Sequence, residues 1–223
     1  MRIHRALCTA VFLIFGASAA FAQELTTEQV LAKLDEKAKV FSSLEASIAK
    51  EEVILETKQT PEKGKVYLKT TKNGPYVFLD LSEPKSKATK ALVKDGNGTV
   101  YFASSNSYQS KKVDPKSDLL QLLLIGFGVP SSTLKKFYTP KVTGRETIDG
   151  VRAVVLELPS TSTTSNIEKV TLWLDPNTWI PVQTRTTEKS KDYFNFRYSN
   201  VKLNKGVSDS VFKLDVPKSA KPQ

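Results

Sequence analysis

Carboxylates, lysines and tyrosines are the groups this chain offers for chemistry. Its single histidine, His4, and single cysteine, Cys8, both fall within the first 22 residues. That stretch reads as removable, so the remaining chain has neither. A serine triad, a thiol nucleophile, a zinc finger and most catalytic zinc sites are thereby excluded. Paired-carboxylate chemistry is left. Glu157, Glu168 and Asp175 fall on expected strands or turns, where two of them could act as acid and base in a glycosidase manner. Carboxylates scattered on solvent faces are far commoner, so the expectation is a binding protein and no enzyme, with no metal and no cofactor.

The removable stretch is marked by the basic start Met1–Arg5, the apolar run Ala6–Phe21 and the small-x-small triplet Ala20-Phe21-Ala22. This is the form of a secretory signal peptide cleaved after Ala22. The run is short for a membrane span, and Cys8 sits inside it instead of at its cleavage end. Residues 1–22 are therefore expected to leave, and 23–223 to form one soluble periplasmic domain and a monomer. Loss of Arg2 and Arg5 takes the formal charge from +10 to +8. Outside the cytosol such a surface suits anionic membranes or acidic partners, and nucleic acid is not expected.

Periodicity supplies the scaffold for any such site. Thr26-Thr27-Glu28-Gln29 forms a capping box, and Leu31, Leu34, Ala38 and Phe41 continue it at helical spacing. A helix over about 27–41 results. From Leu44 the period drops to two: Leu44, Ala46 and Ile48 alternate with polar residues, and Val66/Leu68, Val77/Leu79, Val100/Phe102, Val154/Leu156/Leu158 and Val170/Leu172/Leu174 repeat the pattern. Asp95-Gly96, Asp149-Gly150 and Asp175-Pro176-Asn177 are among the turn signals between them. The fold class is mainly β with some helix: a meandering antiparallel sheet of about nine to eleven strands, strongly curved so as to curl or close.

Several strands are apolar on both faces. Tyr76 and Phe78 oppose Val77, Leu79 and Leu81; Trp173 opposes Leu172 and Leu174; Phe194, Phe196 and Tyr198 share one face. One amphipathic helix covers one face, so the other needs a second cover. The segment Ser117–Gly126, apolar on nearly every side, is the candidate, as a movable lid or as a buried core helix. Ser131-Ser132-Thr133 then starts a second short helix.

VLAKLDEKAKVFSSLEASI, KDGNGTVYF, TLWLDPNTWIPVQTR and DSVFKLDVPKSA, in that order, resemble the LolA-type periplasmic lipoprotein carriers and related lipid-carrying modules over nearly the whole chain after residue 22. The resemblance implies an unclosed antiparallel barrel with short lid helices over an apolar hollow that receives acyl chains. It implies acylated lipoproteins or lipids as cargo, an inner-membrane ABC-type exporter and an outer-membrane acceptor as partners, and transient membrane contact. Free lipids, glycolipids or polyisoprenoids are the alternative cargo. The side chains expected at such a hollow are Phe78, Phe102, Leu122, Ile125, Phe127, Phe194 and Phe196. Trp173 and Trp179 would line or rim it, or else pack in the core between sheet and helix. Where the family keeps a lid-latching arginine, this chain has Lys72, whose ammonium lacks the planar fork of a guanidinium.

Overall fold

The computed structural model describes residues 25–113 and 124–223. The expected signal segment, Leu122 and most of the apolar stretch 117–126 fall outside them.

Helix α1 (Thr27–Val40) begins as its capping box requires: the Gln29 amide donates to Thr26 Oγ1 at 3.2 Å, and the Thr26 amide to Gln29 Oε1 at 2.8 Å. Thirteen strands come after it: β1 (Ser43–Ile54), β2 (Thr57–Lys58), β3 (Glu62–Thr71), β4 (Gly74–Glu83), β5 (Thr89–Lys94), β6 (Asn97–Phe102), β7 (Ser107–Lys112), β8 (Lys141–Ile148), β9 (Val151–Pro159), β10 (Ile167–Leu174), β11 (Pro181–Glu188), β12 (Tyr193–Leu203) and β13 (Lys221–Pro222). A second helix, α2 (Ser131–Phe137), precedes β8. The count exceeds eleven because β2 and β13 are two-residue strands.

The turns do what their residues dictate. Asp95-Gly96 joins β5 to β6 and Asp149-Gly150 joins β8 to β9, with φ of 50° and 70°, and 46° and 84°. Positive φ at both central residues is what a two-residue hairpin needs. All strands form one curved sheet in the order β13-β7-β6-β5-β4-β3-β1-β12-β11-β10-β9-β8, with β2 on β1. Every pairing is antiparallel except β13 with β7. β8 and β13 do not pair with each other, so the sheet stays unclosed. The long-range joint is β1, held between β3 and β12.

The inner face carries the main core. Val30, Leu31 and Leu34 of α1, Leu124, Ile125, Phe127 and Val129 of the following loop, and Leu134 of α2 pack there on Leu44, Leu68, Val77, Leu156 and Leu172. Asp35 of α1 ties the helices together by accepting from the Ser131 amide at 2.6 Å and the Ser131 hydroxyl at 2.7 Å. Helix α1 and the 124–137 segment thus cover the same face. The other apolar face is covered differently from the expectation: after β12 the chain runs back over the outside of the sheet, and Val207, Val211, Phe212 and Leu214 seal Tyr67, Tyr76, Phe78 and Leu92.

Candidate functional site

The inner face is not packed throughout. Between its curved wall and the loop lies a hollow of about 290 Å³. Its wall is built by register. β1 contributes Ile48, Lys50 and Glu52; opposite them on β12 stand Tyr198, Phe196 and Phe194, pair by pair. β3 and β4 add Val66 and Leu68, and Leu79, Val77 and Leu81. Thr184, Thr186 and Val170 close one side, Thr89 the other, and Ile125 with Phe127 form the roof. Period-two alternation on β1 turns Ile48, Lys50 and Glu52 toward the hollow, and the wall residues of β3, β4 and β12 are aliphatic or aromatic.

The two ends differ. At the roofed end the ring of Phe127 meets Tyr198 edge-on, with centroids 5.1 Å apart. Gly126 and Gly128, at φ of 82° and 96°, flank Phe127 and bring the backbone against Pro181 and Phe41. A Cβ would lie 2.4 Å from Pro181 at the first and 2.9 Å from Phe41 at the second. The Tyr198 hydroxyl lies 3.2 Å from Thr184 Oγ1. Burial pushes its pKa up to about 12, against the lesser opposing effect of that hydrogen bond. At the other end the wall turns polar. Lys50 Nζ donates to Glu52 Oε2 and Glu62 Oε1, each at 3.1 Å. Burial works against the ammonium, but Glu62 and then Glu52, by charge and hydrogen bond, outweigh it and hold Lys50 above the ordinary lysine value. From Ile48 to Glu52 the strand advances four residues, roughly 13 Å.

Of the residues expected at a hollow, Ile125, Phe127, Phe194 and Phe196 are in its wall. Phe102 is on the inner face of β6, opposite the wall residue Thr89, but outside the wall itself. Phe78 and Trp173 are elsewhere, and this corrects their expected placement. Phe78 is on the outer face, stacked with Tyr67 at 6.2 Å. Trp173 is on the outer face of β10 with Ala153 and Val155. Its indole donates to Glu146 Oε2 at 2.8 Å, and the Arg185 guanidinium lies 5.5 Å over its ring. The physical reason is parity: Trp173 and Phe78 alternate with Leu172, Leu174, Val77 and Leu79, and those neighbours take the inner positions.

Trp179 packs against the inner core without reaching the hollow. It is held at φ 60° by a turn in which its amide donates to Asp175 O at 2.7 Å and Asp175 carboxylate oxygens accept from the Asn177 amide at 2.9 Å and the Thr178 hydroxyl at 3.1 Å. The two tryptophans flank one turn and serve opposite faces. Lys72 is exposed on the β3–β4 turn and makes no hydrogen bond or ion pair among the described residues. Lys69 makes the contact instead, donating to Asp209 Oδ1 at 2.6 Å and Val207 O at 3.2 Å, which ties the returning segment to the sheet.

Sequence reading missed Lys50, Glu52 and Glu62. The signal was present: Lys50 and Glu52 continue the inward parity of Leu44, Ala46 and Ile48. The carboxylates considered for catalysis are not assembled at the hollow. Glu157 is ion-paired with Lys169, Glu168 with Lys191 at 2.8 Å, and Asp175 caps its turn. The Lys191 hydrogen bond also keeps Glu168 below the usual carboxylate range. Among the described residues no cluster of three histidine, cysteine or acidic side chains is placed to hold a metal.

No family model matches the chain. An uncharacterized protein of Methanocaldococcus jannaschii is 25% identical over 219 residues, covering 98% of this chain. The chain spans 60% of that relative's length. Among solved structures, an uncharacterized conserved protein of Thermus thermophilus is similar at a TM-score of 0.54 and 10% identity, covering 88% of this chain and 97% of that one. This likeness shows a shared fold over almost all of both. The structural neighbours also include a LolA superfamily protein of Nitrosomonas europaea, at 18% identity and a TM-score of 0.40, with 86% of this chain and 99% of that one covered.

Proposed function

We propose that the protein is a periplasmic carrier that shields the acyl chains of lipoproteins in its inner hollow, taking them from an inner-membrane ABC-type exporter and handing them to an outer-membrane acceptor. The observation that carries this reading is the hollow: a largely apolar wall on an unclosed sheet, roofed by a loop and not filled by side chains. Each methylene withdrawn from water contributes about 0.8 kcal/mol, so even partial insertion of one chain holds a cargo. At about 290 Å³ the volume lies near the lower end of the roughly 300–1,000 Å³ of small-ligand pockets. Partial shielding leaves the affinity low enough for release. The reading assigns no catalytic step to the chain.

A second reading, a carrier of free lipids, glycolipids or polyisoprenoids, is favoured by that same modest volume. Native mass spectrometry of protein drawn from its host envelope distinguishes them. Acylated-protein adducts are expected for the lipoprotein carrier, and adducts of small lipids would move the assignment to the second reading. Protein that carries no lipid and binds no acyl compound would sink both.

A further inference from the structure

The hollow is amphiphilic, and its polar end has an unusual charge balance. Lys50 and Glu52 are wall residues at successive inward positions of β1, and Glu62 stands directly opposite Lys50 on β3. Their side chains are 20%, 30% and 12% exposed. The one ammonium lies between two carboxylates, so the trio carries a net charge of −1. Glu62 Oε2 is buried and has no hydrogen-bond partner among the described residues. Buried polar atoms are nearly always satisfied, and a charged acceptor left without a donor is costly. The end is short of donors and of positive charge. The charged residues of the wall, Lys50 and Glu52, stand at the end away from the roof, facing Phe196 and Phe194, so an amphiphile is oriented: tail beneath Phe127, head toward Lys50 and Glu52.

We infer that the polar end selects the head group of the cargo, accepting acyl amphiphiles whose heads bear N–H or O–H donors and no negative charge, and disfavouring carboxylate and phosphate heads. This rests on the acyl-binding reading above and gives it a ligand class. A protonated amine or a hydroxyl beside the acyl chain donates to the Glu52 carboxylate, and the amine also offsets the net charge of the trio. An anionic head meets like charge in a setting where water screens poorly. Glu52, in the wall, is the specificity residue; Glu62 stands behind Lys50 and adds its charge, and Lys50 bridges the two strands.

The test uses three ligands with one tail length, hexadecylamine, monopalmitoylglycerol and palmitate, each displacing the neutral probe N-phenyl-1-naphthylamine below its aggregation limit. The amine and the glyceride are expected to displace it at about tenfold lower concentration than palmitate. Glu52→Gln and Glu62→Gln should each narrow that gap chiefly by improving palmitate, with every displacement referred to the variant's own affinity for the probe. Equal displacement by all three, or tightest binding of palmitate, overturns the head-group inference and leaves the acyl-binding reading standing. Failure of every ligand and of the probe to bind overturns both. Should a variant not fold, the ranking on the unaltered protein still decides.

Discussion

The inner and outer faces of the sheet both bury aromatic pairs, yet they end in different states. On the outer face Phe78 and Phe212 are 7% and 1% exposed, and Tyr76 meets Phe212 edge-on at 5.5 Å beneath the returning chain. On the inner face Phe194 and Phe196 are also edge-on, at 5.8 Å, but remain half-buried beside the hollow. Aromatic residues at alternate strand positions, Tyr76 and Phe78 outside and Phe194 and Phe196 inside, stand on both. The difference is the cover: a segment of chain fits the outer pairs closely, whereas the inner roof of Ile125 and Phe127 spans its wall without filling the space beneath. An apolar strand face therefore signals burial, and only the opposing element decides between core and cavity.

Substitutions on the two faces should separate accordingly. Phe212→Ala is expected to have the largest effect, lowering unfolding free energy in urea by about 3–5 kcal/mol while leaving naphthylamine binding intact in the folded fraction. Phe196→Glu should do the reverse, weakening probe binding about tenfold or more while costing on the order of 1 kcal/mol, because the hollow admits water to the new carboxylate. A collapsed unfolding midpoint in that variant would place Phe196 in sealed core and erase the contrast.

Tyr198→Phe probes the boundary between them. At about pH 9 the natural protein should be more stable by roughly 1 kcal/mol, the net worth of one hydrogen bond. The folded pKa of about 12 exceeds the unfolded value near 10, so the unfolded chain loses its proton first. That contribution is whole below pH 10 and falls by about 1.4 kcal/mol per unit between 10 and 12. Urea titrations of both proteins at about pH 11.5 should therefore find the phenylalanine variant the more stable. The smallest effect is expected from Asp209→Asn, which removes the exposed ion pair with Lys69. Lys69 holds the Asp209 carboxyl below its usual range, so any stabilisation is present above the ordinary aspartate pKa and disappears as pH falls through the depressed one. A slight drop in thermal midpoint at neutral pH that closes in acid is the expected pattern.

Local signals are legible in the sequence because they are local. The Thr26–Gln29 box starts α1, the Asp-Gly pairs make their hairpins, and the alternation from Leu44 onward gives the strands. Period two cannot supply which parity faces inward. Phe194 and Phe196 reach the hollow, whereas Phe78 and Trp173, on strands equally apolar on both sides, turn outward. Nor does it show that β1 pairs with β12 across the chain, or that Val207–Leu214 returns to seal the outer face. Those outcomes depend on contacts between residues more than a hundred positions apart. Lys50, Glu52 and Glu62 escape a sequence reading because charge ordinarily means solvent, although inward parity continues through the first two.

The open sheet has one more consequence, for how the molecule behaves in a crowd. Unpaired strand edges are templates for another chain to add on. Here both are obstructed over part of their length. Lys221 and Pro222 of β13 lie along β7, and the proline withholds a donor. At the far side, β8 shifts register at Gly144, and Thr27 Oγ1 takes the Val142 amide at 3.0 Å. With each margin interrupted in this way, a neighbouring copy finds only a short free run of either edge to pair with, which disfavours growth into ribbons of stacked copies at high concentration.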